Sequence, residues 1–370
     1  MKRINIEKLE NNIEQIALYD LGKNNVFGCS YMVCQNGETV YKKHYGLSDW
    51  EKKTPVDDNT LFRIGSMTKP IVAAAILNLV DRYVISLDTP IKSVLPKFHN
   101  IHIISENGED LGVSKIDVTI KHILTHTSGF GSLKEVNIAD EVKKTATKTV
   151  EYFIKQGLNF EPFSKEAYST IASFDVLALV LERVTGENFG DFIKREILDP
   201  CGMKNTTFVP TENEWSRIID MHYRKKGTSG KNTVIQMPPN CIFEDFPARH
   251  ELAGAGLVST VEDYSRFAEM LLNKVKTNRT FALMNRPYKI IDVPPYEQSW
   301  GLGVRVVSGR NYNCLPVGSF GWSGEYGTHF WCDPKHNITA VYMKNSKFDG
   351  GAGNKSACSF EEALCDVLSQ

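Results

Sequence analysis

Apolar positions near the start of the chain recur at intervals of three and four: Ile6, Leu9, Ile13 and Ile16 fall on one face of a predicted opening helix. A helix with one apolar stripe needs a surface to lie on, and a sheet follows. In "VFGCSYMVCQNGETVYKKHYG" two runs rich in β-branched and aromatic residues meet at Asn36-Gly37, a strong hairpin signal. From about residue 66 to 200 the spacing turns helical, in "PIVAAAILNLVDRYV", "TIKHILTHTSG", "DEVKKTATKTVEYFIKQG" and "FDVLALVLERVTGENFGDFIKREILDP". Short strands return after residue 295 in "SWGLGVRVVS", "GTHFWCDP" and "NITAVYMKN", ahead of a last helix near "SFEEALCDVLS".

Strands at both ends with helices between them predict an α/β (α+β) fold: one antiparallel sheet flanked by N- and C-terminal helices, plus an inserted all-helical domain. The expected division puts residues 1–75 and 246–370 in the sandwich and 76–245 in the mainly helical domain. A cleft between such layers is where ligands usually bind. The stretch 222–233, "HYRKKGTSGKNT", reads as an exposed, mobile loop.

Composition adds limits. With 370 residues, 42% apolar and 24% charged, the chain can build a large core. A net charge of -1 with interspersed signs leaves no footprint for nucleic acid, and there are not about 18 consecutive apolar residues anywhere to span a membrane. A small neutral or mixed substrate is expected. The eight cysteines are scattered without metal-ligand spacing, and they read as reduced thiols in a cytoplasmic protein. The acid-bearing N-terminus, without an apolar stretch of signal-peptide length, fits that location.

Against this background one motif carries chemistry. Ser66-Met67-Thr68-Lys69 is the single Ser-x-x-Lys in the chain, and on a helix positions i and i+3 share a face, so the amine can reach the hydroxyl. Ser66 alone would pass as a helix cap. Its apolar surroundings, however, would bury Lys69, and burial favours the neutral amine that can accept a proton. Tyr168, at the entrance to a later apolar helix, is a candidate partner, because a lysine cation nearby would favour its phenolate. In "GSFGWSGEYGTHFWCDP" glycines at 321, 324 and 327 interrupt a strand. They fit either a bare edge that another group approaches, as an oxyanion hole requires, or a bulge with Trp322 merely packing. His126 and His329 could in principle serve a Ser–His pair, though both read more readily as structural. The chain has no Gly-x-Ser-x-Gly, His-Glu-x-x-His or P-loop, and Gly254-Ala255-Gly256 lacks the rest of a dinucleotide fingerprint, so no metal or nucleotide cofactor is implied.

Ser66-x-x-Lys69, Tyr168-Ser169 and Trp322-Ser323-Gly324, in this order, resemble the serine β-lactamase-like superfamily, and within it class C β-lactamases and family VIII carboxylesterases. The resemblance covers about residues 26–345 and thins near 210–250 and 275–298. It implies acyl transfer: Ser66 as nucleophile, Lys69 as general base, Tyr168 as general base and acid. It further implies that the backbone N–H groups of Ser66 and Glu325 form the oxyanion hole, that Trp322, Ser323, Gly324 and Thr170 bind substrate, and that no cofactor takes part. Two departures matter. Tyr168-Ser169-Thr170 stands where class C enzymes have Tyr-x-Asn, and Trp322-Ser323-Gly324 replaces a Lys-Thr-Gly box, exchanging a cation that would hold a substrate carboxylate for an indole. The expected enzyme is therefore a carboxylesterase for small or short-acyl esters. The alternatives are a class C-like β-lactamase or D-alanyl-D-alanine peptidase and, from another class, a non-catalytic binding or scaffold relative.

Overall fold

The computed structural model describes residues 4–23, 26–131, 145–221, 250–293, 296–309, 314–346 and 349–368. The expected loop at 222–233 lies outside them. Helix α1 (Ile6–Gly22) opens the chain, with Asn5 accepting the Lys8 amide as its cap. Its buried face is Leu9, Ile13, Ala17 and Asp20, and Ile6 is half exposed. The predicted stripe is thus kept at Leu9 and Ile13, with Ile16 partly buried against the same core and Ala17 fully buried.

Strands β1 (Gly28–Gln35) and β2 (Glu38–Asp49) form the predicted hairpin, with φ of 58° at Asn36 and 82° at Gly37, the left-handed pair that a two-residue turn needs. β3 (Thr54–Pro55) and β4 (Phe62–Arg63) lead into α2 (Thr68–Asp81). The helices that follow are α3 (Ile91–Val94), α4 (Ile120–Leu124), α5 (Ala146–Gln156), α6 (Ala172–Thr185), α7 (Phe189–Ile193) and α8 (Glu212–Trp215). Between α3 and α4 lies an unanticipated hairpin of β5 (His102–Ile104) and β6 (Asp110–Val113). β7 (Val258–Ser259) pairs with β4 and precedes α9 (Val261–Thr277). The C-terminal part supplies β8 (Lys289–Val293), β9 (Tyr296–Trp300), β10 (Arg305–Val307), β11 (Phe320–Ser323), β12 (His329–Asp333) and β13 (Ile338–Lys344), then α10 (Lys355–Leu368).

Nine strands form one sheet in the order β3-β2-β1-β13-β12-β11-β10-β9-β8, every neighbouring pair antiparallel. The two termini meet at β1 and β13, where Cys29 pairs with Lys344 and Gln35 with Ile338. One face is covered by α1 and α10, around Tyr31, Trp331, Tyr342 and Phe360. The other packs on α9 and the helical layer in a single core that includes Phe62, Ile71, Phe174, Tyr264 and Phe330. Helix α2 runs through that core with its residues 68–79 all buried, as an all-round apolar helix requires. The core passes across the division expected at 75/76 and 245/246, and we retain that division as a proposal.

One expectation is corrected. Cys314 and Cys365 form a disulfide with Cα atoms 5.7 Å apart, because the segment before β11 crosses the end of α10. Cys29, Cys34, Cys201, Cys332 and Cys358 are free. With one pair oxidised, reduced thiols no longer support a cytoplasmic location. No helix among the described residues is long and apolar enough to cross a membrane.

Candidate active site

Ser66 lies in a 3-10 turn, Gly65–Met67, immediately before α2. The N-cap position of α2 is Met67 and no side chain caps the helix, so the hydroxyl of Ser66 is left for other partners. Two anchors fix the turn: the Tyr264 hydroxyl donates to Met67 O at 2.8 Å, and the Leu257 amide donates to Thr68 Oγ1 at 3.2 Å.

One turn into the helix, Lys69 is 1% exposed and its Nζ donates three hydrogen bonds, to Thr170 O at 2.6 Å, Gly254 O at 2.8 Å and Ser66 Oγ at 3.3 Å. Three acceptors match the three donors of an ammonium. Sequence reasoning missed both carbonyls, since neither Thr170 nor Gly254 contributes through its side chain. Gly254 is held from α6: Asp175, fully buried, accepts the Ala253 amide at 3.1 Å and contacts His250 Nε2 at 3.3 Å.

Tyr168 completes the group. Its hydroxyl donates to Ser66 Oγ at 2.7 Å, and the Trp322 indole N–H donates to the phenolic oxygen at 3.3 Å. The ring is stacked on Trp300 with centroids 5.7 Å apart and planes 9° apart, and Lys69 Nζ lies 4.9 Å from its centroid. Trp300 carried no motif; its place near the start of the predicted strand "SWGLGVRVVS", beside a glycine, was the available signal. Trp322 sits on β11, whose end packs against the Ser66 turn. A β-carbon on Gly324 would stand 2.2 Å from Ile64 O, and one on Gly65 3.1 Å from Glu325 N. The two amides expected to hold an oxyanion, those of Ser66 and Glu325, are therefore brought to one place by backbone contact that only glycines permit. The Glu325 side chain itself is exposed.

The remaining expected residues sort by face. Thr170 is exposed and reaches the site through its carbonyl. Ser323 does not join Ser66: strand alternation turns its hydroxyl to the opposite face of the sheet, where it lies 2.7 Å from His329 Nδ1. His329 Nε2 is in turn 2.9 Å from Glu361 Oε1. His126 packs 4.6 Å from the Tyr168 ring and accepts the Ser169 amide on Nδ1 at 3.3 Å. Burial, reinforced by the charges of Lys69 and Arg305, holds its pKa well below the usual 6.5. Neither histidine contacts Ser66. Among the described residues no group of three or more His, Cys, Asp or Glu could hold a metal ion.

Comparison with known proteins gives the family and the fold. A family model described as Beta-lactamase matches residues 10–357. The chain is 26% identical to the Esterase EstB of Burkholderia gladioli over 384 aligned positions, 91% of each chain. Two solved structures share the fold. One is EstCE1, "a hydrolase with promiscuous acyltransferase activity", with a TM-score of 0.81 and 21% identity over 99% of both chains. The other is the octameric penicillin-binding protein homologue from Pyrococcus abyssi, with a TM-score of 0.75 and 23% identity over 99% of this chain and 78% of that one.

Proposed function

The chain belongs to the Beta-lactamase family, and on that premise we propose that this serine hydrolase is a carboxylesterase acting on small, short-acyl esters. The observation that carries the reading is the Trp322 indole N–H directed at the Tyr168 oxygen. Where a lysine would recruit a substrate carboxylate, this side chain spends its one donor on the catalytic phenol and leaves an apolar wall of Trp322 and Trp300. The likeness to a protein named an esterase supports the same choice.

In the proposed cycle Ser66 Oγ attacks the ester carbonyl carbon and its proton passes to the Tyr168 oxygen. Lys69, whose Nζ lies 3.3 Å from Ser66 Oγ, acts with Tyr168 as the general base and exchanges that proton with it. The amides of Ser66 and Glu325 hold the oxyanion. Tyr168 returns the proton to the departing alcohol as the C–O bond breaks. Water then adds to the acyl-enzyme carbonyl, gives its proton to the Tyr168–Lys69 pair, and the acid leaves as Ser66 is reprotonated. Hydrolysis of p-nitrophenyl acetate and butyrate tests this, and turnover no faster than that of Ser66→Ala would refute it.

A second reading, a β-lactamase or D-alanyl peptidase, has one observation in its favour. The Arg305 guanidinium lies 4.4 Å from the Trp300 ring centroid and 5.8 Å from that of Trp322, so a cation borders the aromatic wall. Faster turnover of nitrocefin or a D-Ala-D-Ala peptide than of simple esters would favour it.

A further inference from the structure

The turn that carries the Glu325 amide, residues 324–328, rests on the chain that follows β13. Gly351 N donates to Gly324 O at 3.0 Å, and Ser346 N donates to Tyr326 O at 2.9 Å. A β-carbon on Gly350 would overlap Glu325 O, at 1.8 Å. From the same stretch Asn345 grips the strand leading to Ser66, accepting the Arg63 amide at 2.9 Å and donating to Arg63 O at 3.0 Å. Residues 345–346 and 350–351 thus touch both arms of the expected oxyanion hole.

That stretch is held by a buried cation. Lys344, at the end of β13, is fully buried, and its Nζ donates to Asp349 Oδ2 at 2.8 Å and Ser356 Oγ at 3.0 Å. Ser356 also donates to Asp20 Oδ2 at 2.6 Å, linking α10 to α1, and Asp349 Oδ1 accepts the Lys355 amide at 2.9 Å. The lysine stem runs directly beneath the turn: a β-carbon on Gly327, whose φ is +96°, would stand 2.2 Å from Lys344 Cε. A buried ion pair is generally no better for stability than apolar residues of the same volume, so its value here lies in geometry.

We propose that Lys344 is a positioning residue for acyl transfer, clamping Asp349 and with it the residues that touch the turn, 345–346 and 350–351, so that the Glu325 amide is held at the site where the oxyanion forms. The proposal rests on the serine-hydrolase reading of Ser66. A displacement of about 1 Å at such a donor costs on the order of a hundredfold in rate. Lys344→Met is therefore expected to lower kcat by about ten- to a hundredfold with KM changed less than about twofold. Should the orphaned Asp349 carboxylate prevent folding, Lys344→Met with Asp349→Asn removes it, and the same kcat loss is expected. Leu9→Ala, which empties part of the core on the same face of the sheet, controls for destabilisation alone and should leave kcat within about twofold. Amide hydrogen exchange reads the clamp whatever the reaction is. Residues 324–328 should exchange at least about tenfold faster in the Lys344 variants, with β1 unchanged. Wild-type exchange there in a folded variant overturns the inference, and so does a kcat loss that Leu9→Ala shares. Absence of Ser66-dependent turnover in the wild type would instead overturn the esterase reading, leaving exchange to decide on the clamp.

Discussion

A serine lies beside a proton acceptor on each side of the sheet, and we propose that only the one on the helical side reacts. On the helical face, Ser66 meets Lys69 and Tyr168 at a turn that also gathers backbone amides. On the opposite face, Ser323, His329 and Glu361 make a chain of hydrogen bonds that on paper is a hydrolase triad. Ser323 is buried, however, and the cavity beside it measures about 60 Å³, whereas ligand pockets start at about 300 Å³. Residue types in hydrogen-bonding order are therefore not sufficient. We propose that donors for an oxyanion and partial exposure separate Ser66 from the buried hydroxyl of Ser323.

That contrast can be broken by mutation. Ser66→Ala should abolish ester turnover and labelling by a fluorophosphonate probe, whereas labelling retained in that variant and lost in Ser323→Ala would reverse the assignment. Lys69→Ala and Tyr168→Phe are each expected to lower kcat/KM by about a hundredfold or more, the scale of general acid–base catalysis. Steady-state kinetics in which Lys69→Ala keeps most activity would return the base to a histidine. Trp322→Phe keeps the wall but removes the donor to Tyr168, and should cost about tenfold in kcat.

Acid stability sharpens the picture for the histidine closest to the site. Folded His126 is held neutral, mainly by burial. The unfolded chain takes up a proton there as pH falls through about 6.5 and the folded chain does not, so acidification destabilises, with a slope that rises to about 1.4 kcal/mol per pH unit below about pH 5.5. Urea unfolding should show a loss of about 2 kcal/mol between pH 7 and pH 5 from this group, and His126→Asn should remove that part of the pH dependence. The smallest effects belong to the opposite face: kcat of Ser323→Ala and His329→Asn should stay within about threefold of the wild type in the same ester assay.

Much of this was legible in the residues. Asn36-Gly37 predicts its hairpin because the turn demands left-handed backbone, and glycine and asparagine tolerate it. Ser66 and Lys69 stand out because helical spacing makes them neighbours. What escaped notice acts through the backbone or over long separations. The carbonyls of Thr170 and Gly254 that receive Lys69 have no side-chain signature, and Gly254 is 185 residues away from it. The face on which Ser323 lies depends on strand register, which a glycine-rich segment specifies poorly. The β5–β6 hairpin did carry a signal, Asn107-Gly108, overlooked among strong helical periods. The disulfide left none, since eight scattered cysteines do not reveal which two will meet.

That disulfide makes a covalent ring of the chain from Cys314 to Cys365, whose ends are 51 positions apart in sequence. Inside the ring lie Trp322, the Glu325 amide, Lys344 and Asp349: one arm of the proposed active site together with the chain it rests on. In the unfolded protein this arm cannot drift away from the C-terminal helix, a restriction of about 4 kcal/mol in chain entropy for a loop of that size. A protease cut anywhere within the ring would leave both pieces joined until a reductant separates them.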